Sequence, residues 1–235
     1  MPLSNAVCVV QIGDIEVTIE RKRVKNVNMR MREPGKAHVS VPLGMSLAQA
    51  EVFVREHADW LVAHAAKLAE REPTRPTSWQ TGEVVRLWGD ALTLRVEESD
   101  VRSYAVVDKD LVVHVLPGDG KEMVEALVEQ LYRVQMTERL KTLLPMCELR
   151  VGKQATSVTL RRMTTRWGSC TPSTGRIRLN VALAELSPDC LEMVLIHELC
   201  HLHEKNHGPR FQALMDLHCP GWRATQRTLD ARMPG

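Results

Sequence analysis

Apolar residues take every second position from Asp14 to Glu20 (D-I-E-V-T-I-E), and the alternation returns in Val27–Met31 and His38–Val41. Each segment is therefore expected to be a strand. Glu33-Pro34-Gly35-Lys36 is turn sequence between the last two, and the three read as an antiparallel meander with one wet, basic face. After Ser46, a good N-cap, Leu47, Ala50, Val54, His57, Leu61 and Ala65 recur at helical spacing to about Glu70. Residues 72–78 (E-P-T-R-P-T-S) read as a linker, the best candidate boundary between lobes. A second β-rich stretch runs from Glu83 to about Val115, with turns near Gly89-Asp90 and Asp108-Lys109-Asp110, and Pro117-Gly118-Asp119-Gly120 ends it. Val124, Leu127, Leu131, Val134, Met136 and Leu140 then mark a long amphipathic helix from about Glu122 to Leu144. Strands are predicted over Ala155–Met163 and Arg176–Leu183. Ser187 as cap and Pro188 at the first helical position open a helix through Leu191, Val194, Leu195 and Leu199 to around Glu204. Gly208-Pro209 interrupts the chain, and Pro209–His218 reads as one more short helix. No internal repeat and no low-complexity segment is visible. The order predicts an α+β protein: an N-terminal antiparallel β-rich lobe with a helix, residues 1–118, and a helix-and-sheet lobe, residues 119–235.

The helix opened by Ser187 carries His197-Glu198-Leu199-Cys200-His201, an H-E-x-x-H pattern. Histidines four apart lie on one helix face, one turn from each other, so both rings can reach one cation. Zinc takes neutral imidazole nitrogens at about 2.0 to 2.1 Å, and a catalytic site keeps three protein ligands and one open position. Glu198 follows the first histidine, which places its carboxylate beside water on the metal, where it can take a proton and pass it to a leaving group. Such patterns also arise by chance in inert helices, but an apolar, well-capped helix and a further histidine argue against chance here. That histidine, His207, stands ten residues after His197, the spacing of H-E-x-x-H-x-x-G-x-x-H. Glu204 occupies the glycine position, so the turn must be made otherwise, for instance at Asn206, a residue that tolerates left-handed backbone. His207 is the expected third ligand, with Glu204, Asp216 and His218 as alternatives. His203 points elsewhere on the helix, and Cys200 reads as a small core residue. His38, His57, His64 and His114 are isolated and read as packing or surface residues.

Composition narrows the class without deciding it. At 235 residues with 44% apolar and 26% charged residues the chain is an ordinary globular protein. The six cysteines include no C-x-x-C pair, so reduced thiols in a cytoplasmic protein are expected rather than a disulfide framework. The first residues lack a signal-peptide pattern, and no apolar run approaches the roughly 18 to 20 residues of a membrane span. Net charge is only +2, yet it is unevenly spread. Arg21–Lys36 is strongly basic, and Lys153–Arg178 holds Lys153, Arg161, Arg162, Arg166, Arg176 and Arg178 with no acid.

The residues T-R-W-G-S-C (165–170), R-I-R-L-N (176–180) and H-E-L-C-H-L-H-E-K-N-H-G-P-R-F (197–211) resemble the YgjP-like family of predicted metal-dependent hydrolases, related to SprT-type and other zincin-like metallopeptidases. V-R-E-H-A-D-W-L (54–61) and W-G-D-A-L-T-L (88–94) fit as well, so the resemblance covers about residues 12 to 230. It implies a zincin-like catalytic lobe with Zn²⁺ as cofactor, His197, His201 and His207 as ligands and Glu198 as catalytic base. It also implies a strand bordering the cleft, for which Arg176–Leu183 is the candidate. Trp167–Cys170 is expected close to the metal helix, in a structural or a catalytic role.

The substrate is the open question. Zincin relatives imply peptide hydrolysis, with an extended substrate pairing with the cleft strand. A basic cleft would instead favour anions, and the family has also been associated with nucleotide pyrophosphatase activity, so a UTP-type substrate is the alternative. Arg166, Arg176 and Arg178 are the candidate substrate-binding residues, and a nucleic-acid partner is a third option. A non-enzymatic zinc-stabilised binding module is the reading from a different class; it would need a fourth protein ligand. Arg166, His218, Tyr104 and Tyr132 are candidate transition-state stabilisers. Membrane partners are not expected, and oligomeric state is not legible.

Overall fold

A computed structural model describes residues 7–33, 35–69, 76 and 78–232. The chain divides into two compact units, residues 1–73 (with 234–235) and 74–233. Of the expected linker, residues 72–75 and 77 lie outside the described residues.

In the first unit, strands β1 (Val7–Ile12), β2 (Ile15–Lys22), β3 (Asn28–Glu33) and β4 (Lys36–Pro42) form one sheet in the order β1-β2-β4-β3. β1 and β2 pair antiparallel, as do β3 and β4, but β2 and β4 run parallel. The expected antiparallel meander is therefore corrected to a mixed sheet. The reason lies in the inward faces. β4 turns Ala37, Val39 and Val41 inward, all buried, and so takes the centre beside Val17 and Ile19; β3, with Met31 as its buried side chain, takes the edge. The expected single helix is two, α1 (Leu47–Glu56) and α2 (Ala58–Ala69). Ser46 and Gln49 form a capping box at the start. At His57 the ring Nδ1 and the backbone N–H both turn back to the Phe53 carbonyl, which ends α1. The wet face of the sheet carries Lys22, Arg30, Lys36 and His38 around a cavity of about 430 Å³, but Glu20 stands among them, paired with Lys22.

The second unit begins with the same arrangement. β5 (Val84–Leu87), β6 (Asp90–Glu98), β7 (Ser103–Val107) and β8 (Asp110–Val115) are ordered β5-β6-β8-β7, again with the middle pair parallel. Each sheet opens on a tight hairpin with glycine at positive φ, Gly13 (55°) and Gly89 (92°). The fold thus holds a repeat that the sequence did not reveal, because interchangeable apolar residues fill its core positions.

The break expected between residues 118 and 119 is absent. Leu94, Leu111 and Val113 of this sheet share one core with Val128, Leu131 and Met136 of helix α3 (Lys121–Val151). The inward face of the sheet needs an apolar cover, and the stripe of α3 supplies it. α3 also runs past Pro145, where proline would ordinarily end it, because Cys147 and Val151 continue into the core. It stops at Gly152 in left-handed backbone (φ 70°).

A third sheet has the order β10-β11-β9, from β9 (Ser157–Arg161), β10 (Gly168–Thr171) and β11 (Arg176–Asn180). A 3₁₀ turn (Val181–Glu185) leads to α4 (Pro188–Cys200), α5 (Pro209–His218) and α6 (Trp222–Arg232). Ile177 and Leu179 are buried and join the core with α4, so Arg176 and Arg178 point from the opposite face. β11, expected to border the cleft, is the middle strand: its two edges are taken by β10 and β9. Among the described residues, the strand beside α4 with an unpaired edge is β10. No helix of the described residues is long and apolar enough to cross a membrane.

Candidate metal centre

α4 is buried nearly all round, with Leu191, Leu195, Ile196, Leu199 and Cys200 fully inside. His197 and His201 leave it one turn apart, their ring centroids 4.9 Å from each other. The helix ends at Cys200, earlier than expected, and the Cys200 carbonyl accepts from the backbone N–H of both His203 and Glu204. The chain then runs to Gly208-Pro209, the start of α5, and His207 on this loop returns to the helix. Its Nε2 lies 3.0 Å from His197 Nε2, and one ligating atom from each of His197, His201 and His207 falls within 4.8 Å of the others. No left-handed residue makes this turn: Asn206 does not have positive φ. The backbone N–H of Asn206 donates to the Glu204 carboxylate instead, at 3.3 Å.

The three imidazoles are ordered by their surroundings. His201 Nδ1 donates to the Glu204 carbonyl at 3.1 Å, which leaves Nε2 unprotonated and free to ligate. Phe211, buried on α5, touches all three rings at centroid distances of 4.6 to 4.8 Å. Burial, reinforced by the neighbouring imidazoles, pushes His197 down to about 3. Burial likewise lowers His201. Both are thus neutral at physiological pH, as a metal ligand must be. The three ring nitrogens thus lie close enough together to be offered to one divalent cation. The alternative ligands lie outside this cluster. Glu204 is engaged with Asn206, Asp216 accepts from Trp222 and Arg223 on α6, and His218, the last residue of α5, is not in the cluster either.

Glu198, the residue after His197, is 5% exposed. Burial raises its carboxyl to about 8, against an opposing pull from Arg166. It borders a cavity of about 270 Å³ whose walls include Arg166, Trp167, Gly168 and His197, with Gln226 and Asp230 from α6. Of the cations in the acid-free stretch, only Arg166 lines this cavity among the described residues. Arg176 and Arg178 are on the far face of the sheet, and Arg162 pairs with Glu129 and Glu185. Nor do the other candidates for charge stabilisation reach it: the Tyr132 hydroxyl donates to the Arg86 carbonyl, and neither His218 nor Tyr104 lines the cavity.

Three parts of the site were missed in the sequence. Phe211 stood in plain view in H-G-P-R-F but reads as core. α6 has no strong apolar stripe, yet the Trp167 indole donates to its Leu229 carbonyl at 3.2 Å. Asn180, 1% exposed, closes the R-I-R-L-N motif. Its Nδ2 donates to the Met163 and Arg166 carbonyls at 2.8 Å each, and Oδ1 accepts from Met163 and Ala182 N–H groups at 3.3 and 3.1 Å. A polar residue ending an alternating strand was the available signal.

A family model described as YgjP-like, metallopeptidase domain, matches residues 25–232. Among curated proteins none matches. Two solved metallopeptidase zymogens are similar over part of the chain. Abylysin of Pyrococcus abyssi is 22% identical, over 40% of this chain and 94% of its own, with a TM-score of 0.37. Jannalysin of Methanocaldococcus jannaschii is 20% identical, over 39% and 91%, with a TM-score of 0.34.

Proposed function

The chain belongs to the YgjP-like metallopeptidase domain family and is thereby a metal-dependent hydrolase, and we propose that it is a zinc peptidase with His197, His201 and His207 as ligands and Glu198 as general base. The observation that carries this reading is the convergence of three imidazoles, two from one helix and one from the loop behind it, with ligating atoms within 4.8 Å of one another. All three are imidazole nitrogens, a donor set that suits zinc and leaves a fourth position for solvent or substrate. When bound, zinc supplies Lewis acidity, polarising a carbonyl and lowering the pKa of water towards about 7.

Glu198 takes the proton of the attacking water and returns it to the amine nitrogen as the C–N bond breaks. The free edge of β10 offers backbone donors and acceptors to an extended peptide, and Arg166 brings positive charge to the cavity where negative charge develops on the carbonyl oxygen. A peptide is favoured over a nucleoside triphosphate because, among the described residues, a single cation, Arg166, rather than a cluster faces the cavity.

Cleavage of a peptide library by zinc-loaded protein tests the reading. Glu198→Gln is expected to abolish cutting while the zinc content stays at that of the wild type. Hydrolysis of UTP with no peptide cut, or undiminished cutting by Glu198→Gln, would refute it.

A further inference from the structure

Gly168 is the second residue of the W-G-S-C segment, and the reading above leaves it without a role. A Cβ placed on it would lie 2.5 Å from Glu198 Oε1 and 2.9 Å from both Cδ and Cγ. Its backbone does not call for glycine, since Gly168 is not among the residues with positive φ. What requires glycine here is space. The register explains the direction of the contact. Gly168 stands opposite Leu179 on β11, and Leu179 is buried on the side that packs towards α4. The empty side of Gly168 therefore faces the helix at the position of Glu198.

The carboxylate of Glu198 has no hydrogen bond or ion pair to a described residue, so packing against β10 sets where it stands. The segment leading into that strand, residues 163–167, is in turn held by Asn180 and by α6. Asn180 donates its amide hydrogens to the Met163 and Arg166 carbonyls, and its backbone N–H donates to the Trp167 carbonyl at 2.8 Å. The Trp167 indole is anchored on α6 through the Leu229 carbonyl. A buried polar side chain, an indole and a bare glycine thus converge on one short segment beside the carboxylate.

We propose that Gly168 is a positioning residue for Glu198, and that residues 163–168, pinned by Asn180, form the shelf that fixes where the base stands. The proposal rests on the reading of Glu198 as general base. An added methyl at 168 displaces the carboxylate from the attacking water and leaves the imidazoles untouched, because His197, His201 and His207 are oriented by Glu204 and Phe211 instead.

The test uses the full chain, zinc-loaded, and a fluorogenic peptide drawn from sequences the wild type cleaves. Gly168→Ala is expected to keep the wild-type zinc content and KM while kcat falls about 10- to 100-fold, the scale of an ångström-sized misplacement. Glu198→Asp is expected to lower kcat in the wild-type background but to raise it in the Gly168→Ala background, since the shorter side chain makes room for the methyl. That reversal of sign is something a merely structural glycine would not produce. Should Gly168→Ala fail to fold, the Gly168→Ala/Glu198→Asp chain decides: recovery of fold and cleavage supports the contact, and continued misfolding overturns it. Wild-type kcat in Gly168→Ala, or loss of zinc from it, also overturns the proposal. The premise fails separately: Glu198→Gln cleaving at the wild-type rate removes the base itself, whereas an inactive Glu198→Gln beside a fully active Gly168→Ala removes only the positioning.

Discussion

Replacement of Asn180 tests whether the loop next to the base is held by specific hydrogen bonds or by bulk. The side chain is 1% exposed and makes four hydrogen bonds, two as donor and two as acceptor. At roughly 0.5 to 1.5 kcal/mol net per bond, their loss amounts to about 2 to 6 kcal/mol. Met163 is half-buried and Arg166 exposed, so water can recover part of this in Asn180→Ala. The expected loss is about 3 kcal/mol, or roughly 6 to 12 °C in melting temperature for a unit of this size. Asn180→Asp sharpens the test. It keeps the shape and the Oδ1 acceptor, but sets a carboxylate oxygen against two carbonyl oxygens that the amide had satisfied. It is therefore expected to be at least as damaging as alanine, although it leaves no hole. Urea unfolding followed by circular dichroism, with the slope checked against wild type, gives both numbers. An Asp variant within about 1 kcal/mol of wild type would refute the reasoning, since that is the size of a single bond and four are at stake.

Phe211→Ala should cost about 3 to 5 kcal/mol as a large core truncation and weaken zinc binding, because the same ring touches all three imidazoles; competition against a chromogenic chelator measures the second effect. In chelator-treated protein, two shifts act in opposite directions. The unfolded chain protonates His197 below its ordinary 6.5 while the fold keeps it neutral down to about 3, so this stability is lost as the pH falls below 6.5. The fold holds the Glu198 proton up to about 8 while the unfolded chain releases it near 4.5, so stability also falls as pH rises through that window. Metal-free protein should therefore melt higher near about pH 5.5 than at pH 8, and Glu198→Gln should remove the alkaline decline; a decline unchanged in that variant would assign it elsewhere. Arg176→Ala and Arg178→Ala should leave peptide cleavage unchanged, since both side chains leave the sheet opposite α4, whereas Arg166→Ala should lower kcat/KM.

The helix that carries His197 and Glu198 was legible because its evidence is local. Ser187-Pro188 marks its start, the apolar positions fill its faces, and the histidine spacing needs nothing beyond helical geometry. The sheets were less legible because alternation identifies a strand without naming its neighbour. Nothing in N-M-R-M-R-E says that β3 lies at the edge and β4 at the centre; the comparison of their inward faces does. The same limit hid the division of the chain, since whether β5–β8 stands alone or needs α3 depends on which apolar face covers which.

The segment beside Glu198 marks a different limit. Four residues of W-G-S-C are too few to show an alternation, and both its neighbours in the sheet and its contact with α4 are made across the fold. Glu198 and Gly168 are far apart in the chain, and their approach follows from the register of β10 on β11. A glycine with ordinary backbone angles is silent in sequence: it could be a flexible joint, a turn or a gap. Only the side chain standing opposite distinguishes these. In this fold that side chain is a buried carboxyl with no hydrogen-bonding partner among the described residues, and a methyl at Gly168 would meet it at less than van der Waals distance, a contact that no spacing in the sequence announces.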